Sequence, residues 1–305
     1  MPTTWRPCRL TLVGSVLIDV MMSIPRLPER GSDVLADRAV LAPGGGFVVL
    51  SAARRLGLPA RLAGRVGHGP FGTRVMTELT KLGVDVLLPR PSTDTGFCVG
   101  LVEPDGERTF ATSPGAEASL SAAELDRIEV GSDDAIYVSG YDLCYPASGP
   151  LIASWLARLE DGLVVLDPGP LVDEIPDPIL AAVLARTNLL TLNAREARLI
   201  GDGVGERLAP AAIVVVRDGP RGCMLHQQDL PPRQLPSARV GPVVDTTGAG
   251  DTHTGALLAE LARSGDPATA AATANVAAAM SITAWGSATC PDRQQLDLAL
   301  NENDA

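Results

Sequence analysis

Short apolar runs rich in Val, Ile and Leu alternate along the chain with stretches whose apolar residues recur every three or four positions. The runs at 11–16, 60–63, 134–138, 163–167, 189–192 and 212–216 predict strands, and their near-continuous hydrophobicity is that of strands covered on both faces. The periodic stretches between them predict helices at 47–56, 72–82, 150–159, 193–200 and 252–262, followed by an alanine-rich helix at 267–283. Such alternation implies an α/β fold, a three-layer α/β/α sandwich. Two stretches break the rhythm. Residues 33–41 and 95–110 read as extended, with Asp105-Gly106 a hairpin turn between 99–103 and 108–111. They predict a small accessory sheet. The polar tail after Leu300 is expected to fray.

With 305 residues, 46% of them hydrophobic, the chain has length for one large domain or two smaller ones. No repeat or linker divides it, so one domain, 1–305, is expected, with lid strands inserted around 15–42 and 93–112. The charge narrows the function. Asp plus Glu outnumber Lys plus Arg by 36 to 25, and a net charge of −11 argues against a nucleic-acid partner. Lys81 is the only lysine, which removes the P-loop and the lysine of protein kinases. Five cysteines without a C-x-x-C pair and three histidines predict neither a zinc site nor a disulfide framework, and a cytoplasmic location is expected. The apolar start at 11–18 is interrupted by Asp19 and followed by no A-x-A cleavage pattern, so it reads as a strand and not as a signal peptide. No run reaches the roughly 18 apolar residues of a membrane span, and no membrane partner is expected.

The segment Asp245-Thr246-Thr247-Gly248-Ala249-Gly250-Asp251 is a small-residue turn running into a helix, whose first amides then point outward unpaired. Such a terminus binds anions. An acid there competes with an anion unless it is a general base taking a proton from a hydroxyl; the alternative is that Asp251 only caps the helix. Gly44, Gly45 and Gly46 open another helix and permit close approach of a ligand, though a tight turn needs glycines too. Residues 67–72 match G-x-G-x-x-G, but a Gly-rich turn and helix come earlier and Pro70 removes an amide, so a dinucleotide site is disfavoured. Asn193 and Glu196 read either as an N-cap and its capping-box partner or as oxygens facing the sheet's carboxyl end, where Mg²⁺ with its waters sits. Arg217, Gly219 and Gly222 come off a buried strand into a turn that fits a hairpin equally well.

In this order and spacing, these elements resemble the ribokinase-like (PfkB) family of small-molecule kinases over nearly the whole chain. The resemblance implies a Rossmann-like three-layer sandwich of the ribokinase type with a small β-sheet lid. It also implies transfer of the γ-phosphoryl of ATP to a primary hydroxyl of a sugar or sugar-like molecule. On that resemblance, Asp251 is the base and the amides of Gly248, Ala249 and Gly250 form the anion hole. Asn193 and Glu196 would organise Mg²⁺ and its waters, and Arg217 would lie near the nucleotide phosphates, with Gly219, Gly222 and Asn275 around the nucleotide. Asp245, Thr247 and 283–286 would contribute to a monovalent-cation (K⁺) site. Asp19, Gly44 and Gly45 would meet the sugar.

One position departs from the pattern. The family usually places an asparagine a few residues after the glycine pair; here the alignment falls on Val48 from the helix or on Val49 from the glycines. An apolar side chain in place of a hydrogen-bond partner alters which hydroxyls are accepted. The alternatives are a nucleoside kinase of the same fold, with Phe97, Phe110 or Phe47 as stacking surface, and a weakly catalytic nucleotide- or sugar-binding protein. Val40, Leu41, Val99 and Leu101 on the lid would be covered by a homodimer formed through it, as in many members of the family.

Overall fold

The computed structural model describes residues 6–238, 240–286 and 289–303. The apolar runs pair into two sheets, and the strands in chain order are β1 (Arg9–Val13), β2 (Val16–Ser23), β3 (Arg38–Gly45), β4 (Ala60–Ala63), β5 (Asp85–Val86), β6 (Phe97–Val102), β7 (Arg108–Ser113), β8 (Asp134–Ser139), β9 (Leu163–Asp167), β10 (Leu189–Asn193), β11 (Ile213–Arg217), β12 (Cys223–Gln227) and β13 (Arg233–Leu235). The large sheet runs β13-β12-β11-β10-β9-β8-β1-β4-β5, with β12 alone running opposite to the others and so antiparallel to both its neighbours; the small one runs β3-β2-β6-β7. The helices are α1 (Gly46–Arg55), α2 (Pro70–Leu82), α3 (Ala122–Leu125), α4 (Gly140–Cys144), α5 (Gly149–Arg158), α6 (Asp177–Leu184), α7 (Ala194–Ile200), α8 (Ala249–Ser264), α9 (Pro267–Ser281) and α10 (Arg293–Asn303).

Because neighbouring strand residues face opposite sides, Leu10 and Leu12 pack with Val49, Leu50, Leu257 and Ala274 of α1, α8 and α9. Val13, Ile136 and Val138 pack with Ile152, Leu156 and Val183 of α5 and α6. The large sheet thus has a core on each face. None of the described helices is long and apolar enough to cross a membrane.

The run at 11–16, expected as one strand, is broken. β1 stops at Val13, Gly14 takes φ +144°, and the chain enters the small sheet at Val16. Gly14 passes against Asp142, where a Cβ would stand 2.0 Å from Oδ2, and Ser15 Oγ hydrogen-bonds Asp142 Oδ1. The other crossings meet nearby: the Gly46 amide donates to the Ser15 carbonyl (3.0 Å), and the Gly96 and Gly115 amides donate to the buried Glu117 carboxylate (2.9 and 2.7 Å). The small sheet is therefore rooted at one place, beside the end of β1.

The second lid strand lies later than 33–41, at Arg38–Gly45, because it pairs residue for residue with β2 and so continues through the glycines. The turn at 219–222 joins β11 to the antiparallel β12, the hairpin that its glycines fit, and β13 beyond it was not expected from the pattern. The tail after Leu300 continues α10 to Asn303 instead of fraying from there. The G-x-G-x-x-G segment is packed within the protein. The Gly67 amide donates to Thr95 Oγ1 (2.9 Å), the Gly72 amide to Asp94 Oδ1 (2.8 Å), and a Cβ on Gly72 would meet the Gly67 carbonyl at 1.9 Å.

Candidate active site

β1 pairs with β4 on one side and β8 on the other, so the chain's winding reverses there and a crevice opens at the carboxyl ends of the strands. Asp167 ends β9, Asn193 ends β10 and Arg217 ends β11. α8 begins over the same crevice. It starts three residues earlier than the sequence pattern predicts, with Gly248 at φ +75° as its N-cap and no side chain capping it. Asp251 is consequently inside the first turn and is not the cap. The amides of Gly248, Gly250 and Asp251 have no acceptor among the described residues, whereas the Ala249 amide donates to the Thr246 carbonyl at 3.3 Å. Of the three amides expected to form the anion hole, Ala249's is thus already engaged, and Asp251's own amide is a free donor beside them.

Burial raises the Asp251 carboxyl from 3.8 to about 7; Asp167, Asp19 and Glu196 push the same way and Arg217 opposes them. Asp19 stands mid-strand in β2, paired with Ala42 and Cys98, and burial raises it to about 7 as well. Its carboxylate lies against Gly44, where a Cβ would stand 1.9 Å from Oδ2. Two carboxyls, Asp19 from the small sheet and Asp251 from the first turn of α8, therefore face one crevice closely enough for their charges to interact. Gly45, at φ +58°, turns β3 into α1. Val48 and Val49 on α1 are both buried in the core, and Val49 packs within the cluster that joins α1 to β1 and α8. Phe47 is also in the core, so it offers no stacking surface; Phe97 packs with Phe71 (ring centroids 5.3 Å apart), and Phe110 is exposed on β7.

Asn193 and Glu196 form the complete capping box of α7. Asn193 Oδ1 accepts the Arg195 and Glu196 amides (2.8 and 2.9 Å), and Glu196 accepts the Asn193 amide (2.7 Å) and Nδ2 (2.6 Å). Burial and then Asp167 raise the Glu196 carboxyl. Arg217, expected at the phosphates, turns its guanidinium inward toward Asp167, at 2.8 Å. Gly219 and Gly222, at φ +52° and +85°, shape the hairpin into β12, and the Asp218 amide donates across it to the Gly222 carbonyl at 2.7 Å. Asn275, expected to face the nucleotide, is buried and fully used: Nδ2 donates to the Leu235 and Pro236 carbonyls (both 3.1 Å), and Oδ1 pairs with His253 Nε2 at 3.2 Å. Burial and Arg217 lower His253 to about 3, so it is neutral, and its Nε2 carries the proton that Asn275 Oδ1 accepts. Asp245 Oδ1 accepts the Thr247 amide (2.9 Å) and Oδ2 the Gly286 amide (3.1 Å), and Thr247 Oγ1 is buried without a partner among the described residues.

Sequence reasoning did not single out Asp167, Tyr141 or Arg108. Asp167 is signalled by an acid closing the apolar run Leu163–Asp167. Tyr141, half-exposed on α4, follows the Ser139-Gly140 turn off β8; burial and then Asp251 raise its phenol. No local signal marks Arg108, on the edge of the small sheet, whose Nη2 donates to Thr246 Oγ1 in the loop before α8. Arg38, at the opposite edge, stacks 4.8 Å from the Trp285 ring centre. Both edges of the small sheet thus rest on segments flanking the turn that opens α8.

The profile of pfkB family carbohydrate kinases matches residues 9–294. An uncharacterized sugar kinase of Escherichia coli, YegV, is 33% identical over 300 residues, covering 94% of this chain and 92% of that protein. Among solved structures, ribokinase from Thermotoga maritima superposes with a TM-score of 0.81 at 23% identity over 96% of this chain and 99% of that one. A nucleoside kinase of Burkholderia thailandensis, in complex with inosine, superposes with a TM-score of 0.79 at 20% identity over 96% and 97%. These two likenesses are of fold.

Proposed function

The chain belongs to the pfkB family of carbohydrate kinases and is a phosphotransferase acting on an alcohol group; from that premise we propose that it transfers the γ-phosphoryl of ATP to a primary hydroxyl of a sugar or sugar-like small molecule. The observation that supports this reading is the pairing, within one helical turn, of free amides with a carboxyl raised to about 7. A base serves best when its pKa is near the working pH, and amides aimed where charge develops need no reorganisation during the reaction.

In this reading Asp251 accepts the proton of the acceptor hydroxyl as that oxygen forms its bond to phosphorus and the bond from phosphorus to the ADP oxygen breaks. The amides of Gly248, Gly250 and Asp251 hold the transferring phosphoryl in line, so that catalysis is positioning and electrostatics. Asp19 and Gly44 bind the sugar hydroxyls, and the small sheet, as lid, excludes water. Among the described residues no three acidic, His or Cys side chains form a metal cage, which suits a Mg²⁺ held mainly by phosphates and water. Glu196 and Asn193 would meet its water shell, and the ion would neutralise phosphate charge. Asp245 and Thr247 would hold K⁺ beside the turn, the unpartnered Thr247 hydroxyl being available to it.

Tyr141 favours a second reading, a nucleoside acceptor, because a half-exposed ring near Asp251 offers the stacking surface that a base requires. Exposed Leu41 and Phe110 on the lid's edge strands support pairing of two lids in a homodimer, which light scattering tests. The deciding experiment is ADP release from MgATP against pentoses, hexoses, sugar phosphates and nucleosides, in K⁺ and in Na⁺, with Asp251→Asn as blank. Turnover above the blank identifies the acceptor class. Silence across the panel with ATP bound refutes the proposal in favour of a noncatalytic binder.

A further inference from the structure

The Arg217 guanidinium lies where a cation is otherwise disfavoured, against the first turn of α8, whose unpaired amides carry the positive end of the helix dipole. Asp167, Glu196 and Asp251 compensate it, in that order of effect. The contacts are also directional. Nη1 stands 2.8 Å from Asp167 Oδ2 on β9, 2.9 Å from Thr191 Oγ1 on β10, and 3.0 and 3.3 Å from Thr254 Oγ1 and the Gly250 carbonyl on α8. Two hydrogens on that nitrogen serve four acceptors, so it has none left for a ligand. Nη2 lies 3.8 Å from Glu196 Oε2, and a Cβ on Gly250 would stand 3.4 Å from Cζ, so the guanidinium lies close against that residue. A phosphate ligand presents its nitrogens to the crevice; here Nη1 is turned into the protein and 13% of the side chain is exposed.

We propose that Arg217 is a positioning residue for Asp251: it ties Gly250 and Thr254 to the ends of β9 and β10 and so fixes the carboxyl and the free amides of one turn relative to the sheet. This rests on the reading of Asp251 as the base. The same positive charge offsets the carboxylates that face Asp251, namely Asp167 from β9, Glu196 from α7 and Asp19 from β2. The other titratable groups in range are Tyr141 on α4 and Tyr137 on β8, both un-ionised, while His253 on α8 and Cys223 on β12 face Arg217 itself. Without the arginine, Asp251 keeps its proton at neutral pH and cannot accept another.

The test uses Arg217→Met, Arg217→Lys and Asp167→Asn in the full chain. The Asp251 carboxyl is titrated by ¹³C NMR, assigned with Asp251→Asn; ATP affinity is measured by calorimetry, and kcat by its pH profile on the acceptor found in the panel. Arg217→Met is expected to raise the midpoint and the acid limb of kcat by roughly one pH unit or more, and Asp167→Asn to lower both. Arg217→Lys is expected to restore the midpoint and not kcat, because a point charge cannot span Asp167, Thr191 and Thr254 together. ATP dissociation constants are expected to stay within about threefold of the wild type. An unmoved midpoint overturns the proposal, as does an ATP affinity lowered about tenfold or more at a constant midpoint, which is the behaviour of a phosphate ligand. If Arg217→Met does not fold, the opposite shift in Asp167→Asn and the split between charge and kcat in Arg217→Lys decide. The NMR midpoint requires no substrate, so it tells failure of this inference from failure of the kinase reading.

Discussion

Asp251→Asn separates the chemistry of the site from its effect on stability. In the folded protein, burial and three neighbouring carboxylates raise Asp251 from 3.8 to about 7 against the pull of Arg217. In the unfolded chain it ionises at its ordinary value. Between those values the folded protein holds a proton that the unfolded chain has released, so stability falls as pH rises through the window and levels off above about 7. At about 1.4 kcal/mol per pH unit, the loss reaches about 4 kcal/mol at pH 8 and about 1.5 kcal/mol at pH 5, as upper bounds. Asparagine keeps the shape without the charge. The substitution should therefore raise Tm by up to roughly 8 °C at pH 8 and roughly 3 °C at pH 5, at about 2 °C per kcal/mol for a chain of this size. The assay is thermal unfolding of both proteins without nucleotide from pH 5 to 8, with turnover measured in parallel and expected to fall by about 10²- to 10⁴-fold. Titrations of groups remote from Asp251 cancel in the difference between the two proteins, while Asp19, Asp167 and Glu196, relieved of its charge, ionise more readily and add to the gain at high pH. A Tm gain independent of pH, or larger at pH 5, would refute the buried-charge argument, and retained turnover would remove Asp251 from the role of base.

Val48 and Val49 separate the two alignments of the substrate asparagine. Val48→Asn should raise kcat/KM on a fully hydroxylated sugar about tenfold or more, whereas Val49→Asn, placed within the cluster that joins α1 to β1 and α8, should cost about 2–4 kcal/mol in denaturant melts. Gly255 lets α8 lie on α1, and an added Cβ would meet the Val49 carbonyl at 2.5 Å and Ala52 Cβ at 2.6 Å. Gly255→Ala should cost about 1–3 kcal/mol by urea unfolding. Arg108→Ala releases the lid edge from Thr246; the acceptor KM should rise several-fold with Tm unchanged, and an unchanged KM would show that this contact does not hold the lid closed.

The strands β1, β4 and β8 to β11 of the large sheet were legible because they are covered on both faces, and that burial writes itself as a continuous apolar run, as in Leu189–Asn193, whereas β5, β12 and β13 at its margins carry exposed polar residues and leave no such run. The small sheet was half legible. β6 and β7 stood out by their turn at Asp105-Gly106, whereas the start of β2 was obscured because the apolar run through residue 16 continues across Gly14, whose φ of +144° and close approach to the Asp142 carboxylate mark where the chain changes sheets. Among site residues, the loop from Asp245 to Asp251 is local chemistry, a turn feeding a helix, and was read directly. Asn193 and Glu196 matched the pattern of a cap, and the structure shows the cap in full.

The sequence by itself determined the α/β order, the glycine turn before α8 and the acid within it, because backbone freedom, helix termini and hydrophobic period are properties of neighbouring residues. Tertiary structure alone decided which groups meet: Asp19 with Gly44, Arg108 with Thr246, and Arg217 with Asp167, 50 positions away. It also decided their charge states. Asp251 and Asp266 begin with the same intrinsic acidity, yet one is buried among carboxylates and raised to about 7 while the other, bonded by Thr269 at a helix start, is lowered. Desolvation and long-range contact are properties of the packed chain, and no window of sequence contains them.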